Sequence, residues 1–431
     1  MPGLRREDVR PPERPSFLTG VPVFLGFTKP PGDPADATGG DEENPRDEAH
    51  PGRVFGPERL ARFGDLATVS PPADSALADA VRGFFANGGG TCYVAWTIAG
   101  DDPVGAVRRS LAALDDVDEV DLVCLPDLAA WSPKTDTGDT SAGDTSAEAG
   151  AGEAGVSDTS VVKAGAGARE PTAQERLVFA AQRAALEHCA ARGDRFAVLD
   201  AGRDADVETV KRQRGWLAGP DAAFGAIYHP WLRVLVDGVA RSVPPCGHIA
   251  GTYAAGDREK GVHRAPANRE IEGVLDVYVD LSDDDAADLY GAGVNPVLAL
   301  PGRGIRAWGV RTASDDEDWH SITVRRLVST IGRWAERFLA TAVHEPNDVR
   351  LWVRIMRELT AVLEVLHLSG AFAGTTADES FYVKCDHETN PPESVAAGLV
   401  ITEIGVAPAV SAEFIVVRVI QSAGEVTVNA A

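Results

Sequence analysis

The sequence predicts an α/β (α+β) protein with two compact domains, extended terminal arms and one disordered insertion. Three observations predict this fold class. Short apolar runs that suit buried strands alternate with helical spacing through the first part of the chain, which is typical of a layered α/β domain. The final part instead carries two long amphipathic helices followed by strands. With 431 residues, of which 44% are hydrophobic, the chain is long enough to bury two cores.

Composition marks the predicted N-terminal arm and the predicted insertion. Residues 1–16 are rich in Pro and Arg and lack any alternating pattern, so we expect an extended arm. Residues 132–171 contain no aromatic residue, no Leu and no Ile, so they cannot bury enough apolar surface to offset the entropy lost on ordering. The predicted division is an N-terminal arm over 1–20, a layered α/β domain over 21–285 that contains the disordered insertion 132–171, a C-terminal domain over 286–412 and a C-terminal arm over 413–431.

Each element is predicted from its spacing. Runs rich in β-branched and aromatic residues predict strands at 21–27, 91–96, 120–125, 195–200, 224–228, 232–236, 296–300, 305–310, 381–385, 399–404, 414–419 and 426–428. Apolar residues at helical spacing predict helices at 77–85, 173–192, 204–217, 282–290 and 324–342, and a further helix from 348 that ends at Gly370. Between these elements, two prolines before Cys246 favour a helix start, and Gly247 and Gly251 allow that helix to pack closely.

Charge and cysteine usage exclude several function classes. The formal net charge is −24, from 65 acidic and 41 basic residues, which is opposite to what binding of nucleic acid or of an anionic membrane requires. The five cysteines are scattered and include no C-x-x-C pair, so we expect buried free thiols and no disulfide framework. No apolar run is long enough to span a membrane, and residues 1–16 do not form a secretory signal, so we expect the protein to fold in the cytoplasm.

A search for reactive motifs predicts no catalytic, cofactor or metal site. The sequence contains no G-x-x-x-x-G-K-[ST] phosphate loop and no G-x-S-x-G nucleophile elbow. Two groups of potential metal ligands occur, namely Cys246 with His248 and His263, and Cys385 with Asp386 and His387. Neither group has two well-spaced ligand pairs, so structural roles are favoured. One alternative class stays open, a cytosolic α/β enzyme whose site is not recognisable.

Several uncommon segments follow one another in a fixed order. They are Val243-Pro-Pro-Cys-Gly-His-Ile-Ala-Gly251, Val262-His-Arg-Ala-Pro-Ala-Asn268, Pro301-Gly-Arg-Gly-Ile-Arg-Ala-Trp-Gly309, His344-Glu-Pro-Asn-Asp348, Phe381-Tyr-Val-Lys-Cys-Asp386 and Gly405-Val-Ala-Pro408. Together they resemble the central and C-terminal segments of contractile tail sheath proteins, the outer sleeve of contractile phage tails, contractile bacteriocins and extracellular contractile injection systems. The resemblance covers most of residues 22–420.

The resemblance implies a mechanical subunit that is not an enzyme. Such subunits form six-fold rings that stack around an inner tube and contract to drive the tube outward, with no nucleotide or other cofactor. The implied partners are further copies of this chain and the inner tube protein, with the baseplate, the terminator cap and sheath paralogues as additional candidates. The C-terminal domain would line the inside of the sheath, and the extended arms would add strands to neighbouring subunits.

Two sets of candidate site residues follow. The apolar strand after residue 412 would be an aggregation hazard if it stayed unpaired, so we expect it to join a neighbour's sheet, and truncation after Ala412 to leave a folded subunit that cannot form sheaths. The inter-subunit arm residues are Phe414, Ile415, Val416, Val417, Val419 and Ile420. On the predicted helix from 348, Arg350, Arg354 and Arg357 form a basic face that we expect to dock on an acidic strip of the inner tube.

Overall fold

The computed structural model describes residues 18–28, 53–69, 75–98, 102–130, 170–342, 345–410, 415–422 and 426–430. Most of the predicted N-terminal arm and of the predicted disordered insertion lies outside the described residues, as does Phe414 of the predicted C-terminal arm. These predictions therefore stay predictions.

The described residues mix strands and helices, as the sequence predicts. In chain order the strands β1 to β15 are Pro22–Thr28, Val54–Leu60, Cys92–Ile98, Leu122–Cys124, Phe196–Asp200, Gly225–His229, Leu232–Val236, Val239–Val243, Val274–Val277, Val294–Leu300, Gly304–Ala307, Phe381–Lys384, Val400–Val406, Ile415–Gln421 and Val426–Ala430. The helices α1 to α10 are Leu77–Ala86, Pro103–Ala112, Ala173–Arg192, Val207–Leu217, Cys246–Lys260, Asp283–Gly291, Ile322–Ala340, Val349–Leu368, Ala377–Ser380 and Pro392–Ala396.

An eight-stranded sheet organises the first region, with strand order β11-β10-β6-β5-β4-β1-β3-β2. Its six inner strands pair in parallel, and the two outer strands, β11 and β2, pair antiparallel with their neighbours. Parallel strands need crossover connections, and helices supply several of them here. Strand β10 pairs with β6, so the large sheet continues past residue 285, where the sequence predicted the boundary between the two domains.

Helices cover both faces of this sheet. Because successive side chains of a strand point to opposite faces, Phe24 of β1 packs with α1 and α5 in one core, while Val23 and Leu25 pack in a second core with α2, α3 and α4. All three side chains are fully buried. The first region is therefore a layered α/β domain with the sheet in the middle layer.

Close contact between α1 and α5 depends on glycine. A Cβ atom added to Gly247 would lie 2.2 Å from the backbone oxygen of Ala80, and one added to Gly251 would lie 2.6 Å from the backbone oxygen of Phe84. These separations are far below van der Waals contact, so only glycine lets the two helices approach this closely. The predicted close packing of this helix is confirmed by these distances.

The second region combines α7 and α8 with a four-stranded antiparallel sheet, in the order β12-β13-β14-β15. Its core brings together one face of each long helix with the inner faces of the strands. Helix α7 is buried on most of its surface, because it contacts this core on one side and the first region on the other. It is therefore the element that joins the two regions.

Candidate assembly surfaces

The predicted C-terminal arm is an inner strand of its own sheet in the single chain. Strand β14 pairs antiparallel with β13 on one edge and with β15 on the other, so that Val417 lies opposite both Ile404 and Ala430. Ile415, Val417 and Val419 are buried in the core of the second region. Val416 and Ile420, on the opposite face, are half-buried.

This pairing changes one expectation and leaves another open. Because three apolar side chains of β14 contribute to the core, the expectation that truncation after Ala412 leaves a folded subunit loses its basis. The sequence could not show this burial, since the core that β14 contacts includes α7, which is distant along the chain. Pairing within one chain does not test exchange between assembled chains, so the inter-subunit role of this strand stays a prediction.

The last strand, β15, sits against a glycine of α7. A Cβ atom added to Gly332 would lie 2.9 Å from the Cγ1 atom of Val428, and Gly332 lies in the middle of the helix, where glycine weakens the helix itself. The glycine therefore makes room for the strand. This groove on α7 holds a β-strand whose other edge is unpaired among the described residues.

A buried ion-pair network links α7 to the first region. Arg326 reaches Asp257 of α5, with Nη2–Oδ2 at 2.5 Å, and Asp121, with Nη2–Oδ2 at 3.3 Å. All three side chains are at most 6% exposed. Burial by itself lowers the pKa of Arg326, but the two carboxylates outweigh that effect and raise the pKa above its ordinary value.

The same network fixes the start of the described chain. The carboxylate of Asp121 accepts hydrogen bonds from the backbone N–H of Gly20, at 2.9 Å, and of Val21, at 2.6 Å. Arg333, about two turns further along α7 than Arg326, donates from Nη2 to the backbone oxygen of Leu18 at 2.8 Å. The path of the N-terminal segment into β1 is thus set by α7 and Asp121.

The three arginines predicted to dock on a tube do not share one environment. Arg350 and Arg357 are exposed on α8, together with Val349 and Val353, which are 51% and 54% exposed. Arg354 is half-buried and pairs with Glu345. The exposed face of α8 is therefore a mixed apolar and basic surface that two of the three predicted arginines share.

Four of the six candidate metal ligands, Cys246, His248, His263 and Cys385, are buried, whereas Asp386 is half-buried and His387 is exposed. Cys246 donates its backbone N–H to Asp200 Oδ1 at 2.8 Å, and burial raises the pKa of its thiol well above the usual range. Burial also lowers the pKa of His248 to about 4. Cys385 accepts a hydrogen bond from Asn390. Within the described part of the chain, no three His, Cys, Asp or Glu side chains lie close enough together to hold a metal ion.

The first region contains a cavity of about 570 Å³ beyond the carboxyl end of β5. This is the edge at which open α/β sheets bind ligands. Its lining includes the start of α3 and of α4, but Thr172 and Asp206 already cap the first N–H groups of these helices. Over the residues described here, no helix is long and apolar enough to cross a membrane.

Comparison with known proteins identifies the class. Residues 165–313 match the family model of the phage tail sheath protein central domain, and residues 314–422 match that of the phage tail sheath C-terminal domain. The tail sheath protein of Vibrio phage KVP40 is 31% identical over 180 residues, which is 41% of this chain and 26% of that protein. The tail sheath protein of Burkholderia phage BcepMu is 30% identical over 171 residues, which is 37% of this chain and 34% of that protein.

Those two matches span about a quarter to a third of the relatives' own length. Solved structures match over nearly the whole chain. A chain of the anti-feeding prophage baseplate gives a TM-score of 0.65 at 25% identity, covering 96% of this chain and 97% of that one. A chain of the anti-feeding prophage helical sheath in the contracted state gives a TM-score of 0.64 at 25% identity, covering 96% of this chain and 97% of that one. A chain of the PVC sheath complex, at 22% identity and a TM-score of 0.63, shares the fold, with coverage of 96% and 95%.

The two-region fold and these matches define the class as contractile tail sheath proteins. The chain belongs to the phage tail sheath protein family, which confirms the resemblance found in its sequence. Membership of this family indicates a structural role, and the alternative of an α/β enzyme is not favoured.

Proposed function

We propose that this chain is the repeating subunit of a contractile sheath, which polymerises as rings around an inner tube and contracts to drive the tube outward. The observation that supports this most strongly is the match of 96% of the chain to a helical sheath in its contracted state. The subunit is not an enzyme in this proposal. It needs no nucleotide, because the free energy for contraction is stored when the extended sheath assembles.

Strand exchange is the proposed link between subunits. Strands β14 and β15 end the described chain, and β15 has an unpaired edge among the described residues. A neighbouring copy carries the same strands. Its β14 could therefore pair with β13, and its β15 could pack against Gly332, through the same contacts that these strands make within one chain. Exchange of residues 413–431 between copies would then knit the rings together while each sheet keeps its backbone hydrogen bonds.

The exposed face of α8 is the proposed contact with the inner tube. Val349 and Val353 supply apolar area, and Arg350 and Arg357 supply positive charge in a chain with a net charge of −24. A single exposed ion pair contributes only about 0–1 kcal/mol, but a ring repeats the contact in every subunit. An inner tube with an acidic, partly apolar outer surface fits this face.

The remaining partners follow from the same proposal. We place assembly in the cytoplasm, with the baseplate, the terminator cap and sheath paralogues as additional partners, and without contact of this chain with nucleic acid or membrane. The acidic balance, 65 acidic residues against 41 basic ones, supports the exclusion of nucleic acid and anionic lipid.

Electron microscopy tests the proposal directly. The full chain, expressed alone and together with an inner tube protein, should form long tubes or ring stacks in negative stain. A discrete, monodisperse oligomer under both conditions would contradict the sheath proposal and would favour the enzyme class instead.

A further inference from the structure

One buried arginine of α7 has no charged partner among the described residues, unlike two other arginines of the same helix. Arg325 is only 5% exposed, and its guanidinium lies over two rings, 4.4 Å from the centroid of Phe224 and 4.2 Å from that of Trp319. Arg326 and Arg333 on the same helix both reach Asp121. Arg325, by contrast, makes no ion pair and no side-chain hydrogen bond with any residue that the structure describes, and its Nε is buried without a partner.

The two rings attract the charge of the guanidinium but offer its N–H groups no oxygen or nitrogen acceptor. A ring attracts a cation that lies over its face, whereas the five N–H donors of arginine point outward in the guanidinium plane. A buried charge without an acceptor is costly, and burial lowers the pKa of Arg325 to about 9. The group still carries its charge at neutral pH, so its N–H donors need an acceptor that no described residue of the single chain supplies.

Two further polar groups near Arg325 lack partners among the described residues. Ser329 lies four residues after Arg325 on α7, and Ser321, whose backbone is extended, is the N-cap residue four positions before it, so the three residues form a row at this end of the helix. Both serines are buried, at 6% and 7% exposed, and neither hydroxyl has a hydrogen-bond partner in the described part of the chain. The row lies near the junction of the two regions, because Phe224 packs in the core of the first region and Trp319 in that of the second.

We propose that Arg325 is an anchor for a carboxylate side chain that a second copy of this chain supplies in the assembled sheath. A carboxylate matches the planar fork of arginine with two parallel hydrogen bonds. Contact with the two rings restricts the guanidinium before the partner arrives, which reduces the entropy lost on binding. With 65 acidic residues, a second copy offers many exposed carboxylates. The inference rests on the proposed polymerisation.

The first test separates an interface role from a purely internal one. In the full chain, Arg325→Met replaces the buried charge by an apolar side chain of similar length. We expect the Tm of the unassembled subunit to stay the same or rise, because an uncompensated buried charge is removed. We expect the amount of assembled sheath, measured by sedimentation and negative-stain microscopy, to fall at least about ten-fold, since one interaction is lost in every subunit.

Arg326→Met is the matched control on the neighbouring position. It leaves Asp257 and Asp121 without their cation, so its Tm should fall clearly. The proposal is overturned if Arg325→Met assembles like the wild type, or if it lowers the Tm as much as Arg326→Met does, because the arginine would then act within its own chain.

A second measurement does not depend on polymerisation. Acetate serves as a carboxylate probe, and the Tm of the unassembled wild type and of Arg325→Met is followed against acetate concentration at constant ionic strength, with chloride as the reference anion. We expect acetate to raise the Tm of the wild type only. An equal response of both proteins, or an equal effect of chloride, would exclude a carboxylate site at Arg325. A wild type that responds to acetate yet never polymerises would instead overturn the proposed function, and with it the second copy as the source of the carboxylate.

Discussion

Arg326 and Asp257 form a buried, two-point ion pair between α7 and α5, with Nη1–Oδ1 at 3.0 Å and Nη2–Oδ2 at 2.5 Å. Their side chains are 3% and 4% exposed, and the guanidinium also lies 4.7 Å from the ring centroid of Tyr253. The pair holds the second region of the sheath subunit against the first. In the proposed sheath, this pair would keep the two regions of each subunit in contact.

Loss of either partner of this pair should destabilise the subunit strongly. We expect Asp257→Asn to lower the free energy of unfolding by about 3–5 kcal/mol, because Arg326 would stay buried with only the more distant Asp121. Urea denaturation followed by circular dichroism measures this change. The control is Arg357→Met, which removes an exposed pair with Glu358 and should cost at most about 1 kcal/mol. Equal effects of the two variants would contradict the importance of the buried pair.

Two glycines of α5, Gly247 and Gly256, should respond in opposite ways to replacement by alanine. Gly247→Ala places a Cβ atom 2.2 Å from a backbone oxygen of α1, so we expect the free energy of unfolding to fall by about 1–3 kcal/mol or more. Nothing lies within 4 Å of the corresponding position at Gly256, and alanine favours helix, so Gly256→Ala should stabilise by about 0.5–1 kcal/mol. Thermal unfolding of both variants checks the pair. A stable Gly247→Ala protein would show that α1 and α5 can separate at little cost.

The buried carboxyl of Asp200 should make stability depend on pH. Burial raises its pKa from 3.8 to about 7, so the folded chain binds a proton that the unfolded chain has already lost. The resulting stabilisation is fully present below about pH 4 and is lost as the pH rises through 7. Each unit by which the pKa differs between the folded and unfolded chain corresponds to about 1.4 kcal/mol in the free energy of unfolding.

Asp200→Asn tests this pH dependence, because the amide oxygen can still accept the N–H of Cys246. We expect the variant to be more stable than the wild type at pH 8 and similar to it at pH 4. The readout is the urea midpoint across this range. An unchanged difference between the two proteins at all pH values would show that Asp200 does not titrate in this window.

Two C-terminal truncations should separate folding from assembly. Ending the chain after Ser422 removes β15, an edge strand, so the subunit should stay folded but form no sheaths. Ending it after Ala412 also removes β14, whose inner face is buried, and should unfold the second region. Circular dichroism reports the folding of both proteins and microscopy reports their assembly. Sheaths built by the shorter of the two chains would exclude any role of these strands in assembly.

Charge reversal on α8 should block tube-templated assembly. We expect Arg350→Glu combined with Arg357→Glu to abolish growth of the sheath on a tube at low salt while leaving the Tm nearly unchanged, because both side chains are exposed. Arg108→Glu with Arg176→Glu gives the same change in net charge on the first region and serves as the control. Assembly that survives the α8 reversal, or fails equally in the control, would rule this face out.

Local signals in the sequence located most of the elements. The predicted helix 173–192 has the same limits as α3, since Thr172 and Glu175 form a capping box and Gly193 ends the helix at a φ of 71°. Helix α2 was missed although Asp102 caps it and Pro103 begins it, which are recognisable start signals. Strands β2, β8 and β9 were missed because they are short or carry exposed, mixed residues that lack clear alternation.

The sequence by itself determined the fold class, the order of most elements and, through its uncommon segments, the family. These properties depend on spacing within a few residues or on motifs that are read in order. Only the tertiary structure decided that β10 extends the large sheet, that β14 lies between β13 and β15, and that Arg326 meets Asp257 and Asp121. Asp257 and Asp121 are 69 and 205 residues away along the chain, and no local pattern encodes which distant side chains a fold brings into contact.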